Sequence, residues 1–398
     1  MRIALITLDR LAEEADGEGA SGTPARLAGQ PIAWHQLHAA LALECERIVC
    51  LAPEPVAEVA ALQREAERRG AKFHAVWRAR MLSGLVAAAD TLFVFAPGIL
   101  PDREWLHDAL SGRAGIGVFA AERAVPWGFE RIDRDRAWAG VLATRGDAVE
   151  ALADLPPDAD PSAGLLRIAL QRGTRCVEVP DQWLDEGRWA TLSDAKVAAR
   201  FEPLWYARGV PEPGPARPSD TLAYRTARWL TRSIARRPQL PVALTAASGL
   251  LTAGGATTGY FGYSAIGLAM LAVAAFIAST GTALDAFAAA GSGIAPKRWP
   301  IAARDAALDL ALIACAASPA AFGDWSAPFA AAVIVAAMRL AREDVAPSLL
   351  RPFGDRVLVL SVAAVLAAAS IFAPGIALLS VAALGLRLLA PSAQLTRA

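Results

Sequence analysis

The chain has 398 residues, 55% of them hydrophobic and 20% charged, with a mean hydropathy of +0.35. Lys and Arg number 39 and Asp and Glu number 39, so the formal net charge is zero. A disordered polymer would show the opposite balance, a nucleic-acid binder would be basic, and a soluble enzyme is rarely this apolar, which points to a membrane-embedded part.

The first 200 residues alternate short apolar runs with helical patterns. Residues 3–8, 47–51, 91–95, 115–120 and 176–179 read as strands, and 32–43, 55–69 and 193–200 as helices. That order predicts an α/β domain over 1–209 with a mostly parallel sheet. The opening run lacks the long apolar core of a leader, so this domain is expected in the cytoplasm. Cys45, Cys50, Cys176 and Cys315 form no C-x-x-C pair, which indicates neither zinc nor a disulfide framework. Gly17, Gly19 and Gly22 do not follow a strand and read as a flexible loop. His35 and His38 share a helix face without an apparent third ligand and read as packed. Trp183, Trp189 and Trp205 are expected to pack rather than to stack a base. The Pro-rich residues from 210 read as a linker, extending to 223.

Residues 224–238 are amphipathic, with Trp229, Leu230 and Ile234 set against Arg225, Arg228, Arg232, Arg236 and Arg237, the signature of a helix lying in the inner leaflet interface. No charge occurs between Arg237 and Asp285, a run of 47 residues, whereas one span needs about 20. Glycines 254, 255 and 262 divide that run into helices over about 240–256 and 261–284. Apolar blocks at 310–323, 325–338, 357–373 and 375–386 supply four more. Lys297, Arg298, Arg304, Arg339, Arg342, Arg351, Arg356, Arg387 and Arg397 fall in alternate connections and the tail, and the loops around 254–262, 322–327 and 373–376 contain no Lys or Arg. This positive-inside alternation predicts an all-α, six-helix transmembrane domain over 239–390 with both termini cytoplasmic, in the cell (inner) membrane among membrane lipids.

Ionisable groups at membrane depth usually mark function. Asp305 and Asp309 are four residues apart, hence on one helix face, and Asp285 ends the preceding span near the same boundary. Three converging carboxylates could hold Mg²⁺ or Mn²⁺, with one left to deprotonate an attacking alcohol. The same spacing also suits structural pairing with Arg304, Arg298 or Arg339.

Six helices, a helix before the first span and these clustered aspartates resemble the CDP-alcohol phosphotransferase family, whose motif is D-x2-D-G-x2-A-R-x8-G-x3-D-x3-D. Asp305-x3-Asp309 fits the end of that motif, residues 217–241 are similar to the family's entry into its first helix, and Phe353-Gly-Asp-Arg356 resembles its fifth-helix entry. The resemblance covers about residues 215–390. It implies a metal-dependent displacement of CMP from a CDP-alcohol by an alcohol or lipid acceptor in phospholipid or inositol-phosphate lipid metabolism, with Asp309 as catalytic base, Asp285, Asp305 and Asp309 on the metal, and a homodimer. Asp285 lies 20 residues before Asp305, where the motif puts its first and second Asp 21 and 18 before. Aligned as the first, Asp285 puts Ala288 at the second Asp; aligned as the second, it puts Thr282 at the first. Lys297 or Arg298 could supply the positive charge of the motif's arginine, and Lys297, Arg298 and Arg304 are the candidate substrate-binding residues. Residues 27–32 and 183–194 are similar to nucleotidyltransferases of the glycosyltransferase-A type, and fusion of the two is known in bifunctional inositol-phosphate cytidylyltransferase/phosphotransferases. The nucleotidyltransferase resemblance implies a G-x-G-x-R loop directly after the first strand and a metal-binding Asp after Phe95, where this chain has Leu8-Asp-Arg-Leu and Ala96-Pro97-Gly98. The site residues lost from both halves leave a second expectation, a catalytically inactive homologue that binds lipid or acts as a scaffold.

Overall fold

The computed structural model describes residues 1–8, 25–52, 57–152, 160–234, 239–317, 325–341 and 348–389. Gly17, Gly19, Gly22, Arg236, Arg237, Arg342, Arg397 and residues 322–324 of the 322–327 loop lie outside the described residues. The chain divides into two compact units, one of Met1–Gly209 with Gly291–Gly293, the other of Val210–Ala290 with Ile294–Ala398.

In chain order the first unit holds β1 (Arg2–Thr7), β2 (Arg26–Leu27), β3 (Gln30–Pro31), α1 (Ile32–Ala42), β4 (Arg47–Leu51), α2 (Ala57–Arg68), β5 (Lys72–Val76), β6 (Thr91–Phe95) and β7 (Ile99–Leu100). Then come α3 (Arg103–Leu110), β8 (Gly115–Ala120), α4 (Ala121–Ala124), β9 (Arg136–Arg145), α5 (Ala148–Leu152), α6 (Pro161–Gln171), β10 (Cys176–Glu178), α7 (Gln182–Asp185), β11 (Ala190–Thr191) and α8 (Ala195–Gly209). Seven strands form one sheet in the order β10-β8-β9-β6-β1-β4-β5. Every pairing is parallel except those of β9, which runs antiparallel to β6 and β8. Ile3, Ala4, Leu5 and Ile6 are all buried, as both faces of a central strand covered by helices require. Helix α8 runs through Pro203, past the expected end at 200, because Phe201, Trp205 and Tyr206 bury on one side and outweigh the lost N–H.

The tryptophans are packing residues. Trp189 is fully buried and donates its Nε1–H to the Ala139 carbonyl at 2.9 Å, while the Arg188 guanidinium sits 3.8 Å over the Trp183 ring. Asp102 caps α3 through the Glu104 and Trp105 amides and also pairs with Arg188 and Arg208.

His35 and His38 lie buried on α1. Desolvation pushes the His35 imidazole down from 6.5 to about 4. Desolvation, with Arg103 and Arg69 charges behind it, takes His38 to about 3. An unfolded histidine binds a proton near 6.5 that the folded one refuses, so stability is lost as pH falls from about 6.5 toward 4. A shift of that size corresponds to about 3 kcal/mol for His35 alone. The protection factors of the α1 amides, exchange rates corrected for their intrinsic pH dependence, should therefore fall across this window, and in His35→Gln/His38→Gln that fall should largely vanish.

The second unit is helical: α9 (Pro218–Ile234), α10 (Leu240–Tyr260), α11 (Ser264–Ser292), α12 (Arg298–Ala316), α13 (Ser326–Ala341), α14 (Arg356–Ala368) and α15 (Phe372–Leu389). Helix α9 begins at Pro218, inside the stretch read as linker, since proline suits a first helical turn. Helices α10 and α11 are long and apolar enough to cross a membrane, and α13, α14 and α15 are shorter apolar helices. Helix α12 takes Arg304, Asp305 and Asp309 into its own turns. Helices α10 and α11 meet backbone to backbone: a Cβ on Gly267 would stand 2.6 Å from the Gly255 carbonyl oxygen and 2.7 Å from Gly259. Small residues permit that approach where lipid gives apolar side chains no drive to associate.

Candidate functional site

One carboxylate frames the site. Asp355 is the N-cap of α14, accepting from the Leu358 amide at 3.0 Å. Its other oxygen accepts from the Ser219 amide at 2.9 Å in the first turn of α9. Asp355 is fully buried, so it ties the starts of two helices together where an uncapped amide would be costly. Arg217 adds a second tie by donating to the Ala341 carbonyl at the end of α13.

Between these helix ends, α11 and α12 lies a cavity of about 360 Å³. Its polar lining is Arg217, Asp220, Ser279, Thr282, Arg304, Asp305 and Arg356, with Tyr224 beside them. The Ser279 hydroxyl donates to Asp220 at 3.2 Å, and Arg304 Nη2 donates to the Thr282 hydroxyl at 2.6 Å. The Arg304 Nε–H is buried without a hydrogen-bond partner among the described residues. Three guanidinium groups thus face two carboxylates across one cavity.

Arg356 occupies the centre of the acidic pair. Its Nη1 lies 2.6 Å from Asp305 Oδ2, and its Nε and Nη2 each donate to Asp309 at 2.9 Å. Arg339 donates to the same Asp309 carboxylate at 3.0 Å. The Arg356 and Asp309 side chains are both 5% exposed, so this is a bidentate pair removed from solvent. Both oxygens of Asp309 are engaged by guanidinium groups, and Asp309 is not among the residues that line the cavity.

The candidate residues separate accordingly. Arg304 and Asp305 line the cavity, and Asp309 lies behind them through Arg356. Asp285 is exposed and not among the lining residues, reaching the site only through its charge on Arg304. Lys297 and Arg298 stand exposed at the start of α12, away from the cavity lining. Among the described residues no three His, Cys, Asp or Glu side chains gather as a metal-holding group. A divalent cation needs free carboxylate oxygens, and here guanidinium groups hold those of Asp309 and one of Asp305. This donor set therefore does not fit Mg²⁺ or Mn²⁺.

Arg356 and Asp220 were not singled out as site residues from sequence. The signal was present, because an arginine opening an apolar helix needs a buried carboxylate partner, and the α12 aspartates were the candidates.

No family model matches this chain, and no curated protein matches it. Among solved structures, a Bacillus anthracis protein assigned as a glucose-1-phosphate thymidylyltransferase, solved with sucrose, is similar at 11% identity, covering 51% of this chain and 94% of that chain with a TM-score of 0.38.

Proposed function

We propose that the second unit is a membrane-embedded binding module of CDP-alcohol phosphotransferase-like architecture, and that its cavity holds the anionic headgroup of a phosphorylated alcohol or lipid without metal-dependent transfer. The observation that carries this reading is Arg356 lodged between Asp305 and Asp309. The transfer chemistry implied by the sequence resemblance needs those oxygens for metal and for a base. A built-in guanidinium supplies the neutralising charge instead, and Arg304 keeps an unpartnered donor in a cavity where cations outnumber anions. Arginine's planar fork suits phosphate oxygens.

Membrane insertion is supported by what the helices leave uncovered. Only 17% of the most apolar stretch of α10 is buried. Val242, Leu250, Leu310, Phe329, Val365, Leu378 and Val381 are each between 67% and 75% exposed. Water would not tolerate an apolar surface of that extent on a monomer, whereas lipid would, and the basic residues that the sequence sets in alternate connections favour a cavity facing the inner boundary.

The test is thermal unfolding of the purified full chain with glycerol 3-phosphate, inositol phosphate or inorganic phosphate. Binding to the folded state alone raises stability by about 2.7 kcal/mol when ligand reaches a hundredfold its dissociation constant. The reading requires such a rise with at least one phosphorylated alcohol and its loss in Arg304→Gln. Equal unfolding with and without every phosphate compound would remove it.

A further inference from the structure

We infer that the turn after β5 is a second membrane-contact site, through which the first unit docks on an anionic lipid surface. Trp77 is 60% exposed and Met81 38% exposed, four residues apart in a single turn. Tryptophan is normally among the better-covered side chains. Arg78 and Arg80 stand exposed between them, and neither is ion-paired among the described residues. No Asp or Glu occurs between Glu67 and Asp90; Arg68 and Arg69, before β5, pair with Glu65, which leaves Arg78 and Arg80 as the uncompensated charges of the turn itself.

An amphipathic ring beside unpaired guanidinium groups matches the headgroup layer of a bilayer, where tryptophan sits at the interface and arginine meets lipid phosphates. Charge complementarity selects this occupant over a second copy of the same patch, which would set arginines against arginines. The first unit is joined covalently to helices able to cross a membrane, so the bilayer is present at high effective concentration, and weak single contacts become populated. The inference rests on the membrane reading of the second unit.

The experiment uses the full chain in lipid nanodiscs. Ser83, exposed in the same turn, is changed to cysteine and labelled with an environment-sensitive fluorophore, with Cys176 replaced by serine. Doxyl lipids then report contact. Quenching is expected in discs containing phosphatidylglycerol. The bound fraction's equilibrium constant should fall on the order of fivefold for each of Arg78→Glu and Arg80→Glu, at least, since each removes one basic contact. Trp77→Ser should weaken quenching while unfolding stays unchanged. A chain that enters discs yet shows no lipid quenching overturns this site alone, and so does quenching indifferent to lipid charge and to both arginines. A chain that does not enter discs at all overturns the membrane reading and this site with it.

Discussion

Arg356→Ala destabilises the second unit by about 3–5 kcal/mol, because it leaves the Asp309 carboxylate buried with its main counter-charge gone. Arg339→Ala costs at most about 1 kcal/mol although it removes a contact of similar length, since the Arg339 side chain is 58% exposed and solvent screens it. Arg356→Lys falls between the two: the charge survives, but one ammonium cannot span both aspartates as the fork does. Replacing the pair together, as Arg356→Met with Asp309→Leu, recovers most of the loss, because no uncompensated charge remains. The readout is thiol labelling of Cys315, which is 1% exposed and becomes reactive on unfolding, in a chain whose other three cysteines are alanine. Equal costs for Arg356→Ala and Arg339→Ala would show that the buried geometry is not what matters.

Gly140→Ala destabilises the first unit by about 2–5 kcal/mol, the sum of a left-handed backbone cost and overpacking. Gly140 has φ +80°, and a Cβ there would meet the Ile99 side chain. The position lies where β9 slips register against β8, between Ile116 and Val118. That irregularity brings the Ala139 carbonyl to Trp189 and the Gly140 carbonyl to the Ala96 amide, both buried hydrogen bonds. Two comparisons separate the terms. Gly173 has φ +70° and open space beside it, so Gly173→Ala shows the backbone cost alone, about 1–2 kcal/mol. Combining Gly140→Ala with Ile99→Ala costs less than the two singles added, by about 1–3 kcal/mol. Additive losses, measured by denaturant unfolding of the first unit's signal, would contradict the steric account.

The strands legible from sequence are mostly those buried on both faces, with β10 at the sheet edge, read at 176–179 and formed over Cys176–Glu178, as the exception. β1, β4, β6 and β8 are short apolar runs, and they lie near their expected bounds. β5 went unread because it is an edge strand of Lys72, Phe73, His74, Ala75 and Val76 in which only Val76 is buried. β9 went unread for another reason. Its first half, Ala137-Trp138-Ala139-Gly140, has no β-branched residue and only Val141 and Thr144 follow, and its burial comes from neighbours on both sides, a tertiary effect. Its antiparallel sense leaves no local trace at all. Of the site, Asp305 and Asp309 announce themselves by their spacing and by their cost in an apolar helix. Their partner does not, because Arg356 lies 47 residues beyond Asp309 and only helix packing brings it there. Spacing alone could not decide between a metal ligand and one half of an ion pair. The geometry of the guanidinium favours the pair.

The most direct measurement is transfer from labelled CDP-alcohols by membranes containing the full chain, with Mn²⁺ and a range of alcohol acceptors, against Asp309→Asn membranes as control. A cavity neutralised by Arg356 predicts identical product in both and no dependence on added metal. Metal-dependent product that Asp309→Asn abolishes would contradict the account, since Asp309 would then have to leave Arg356 and serve the reaction.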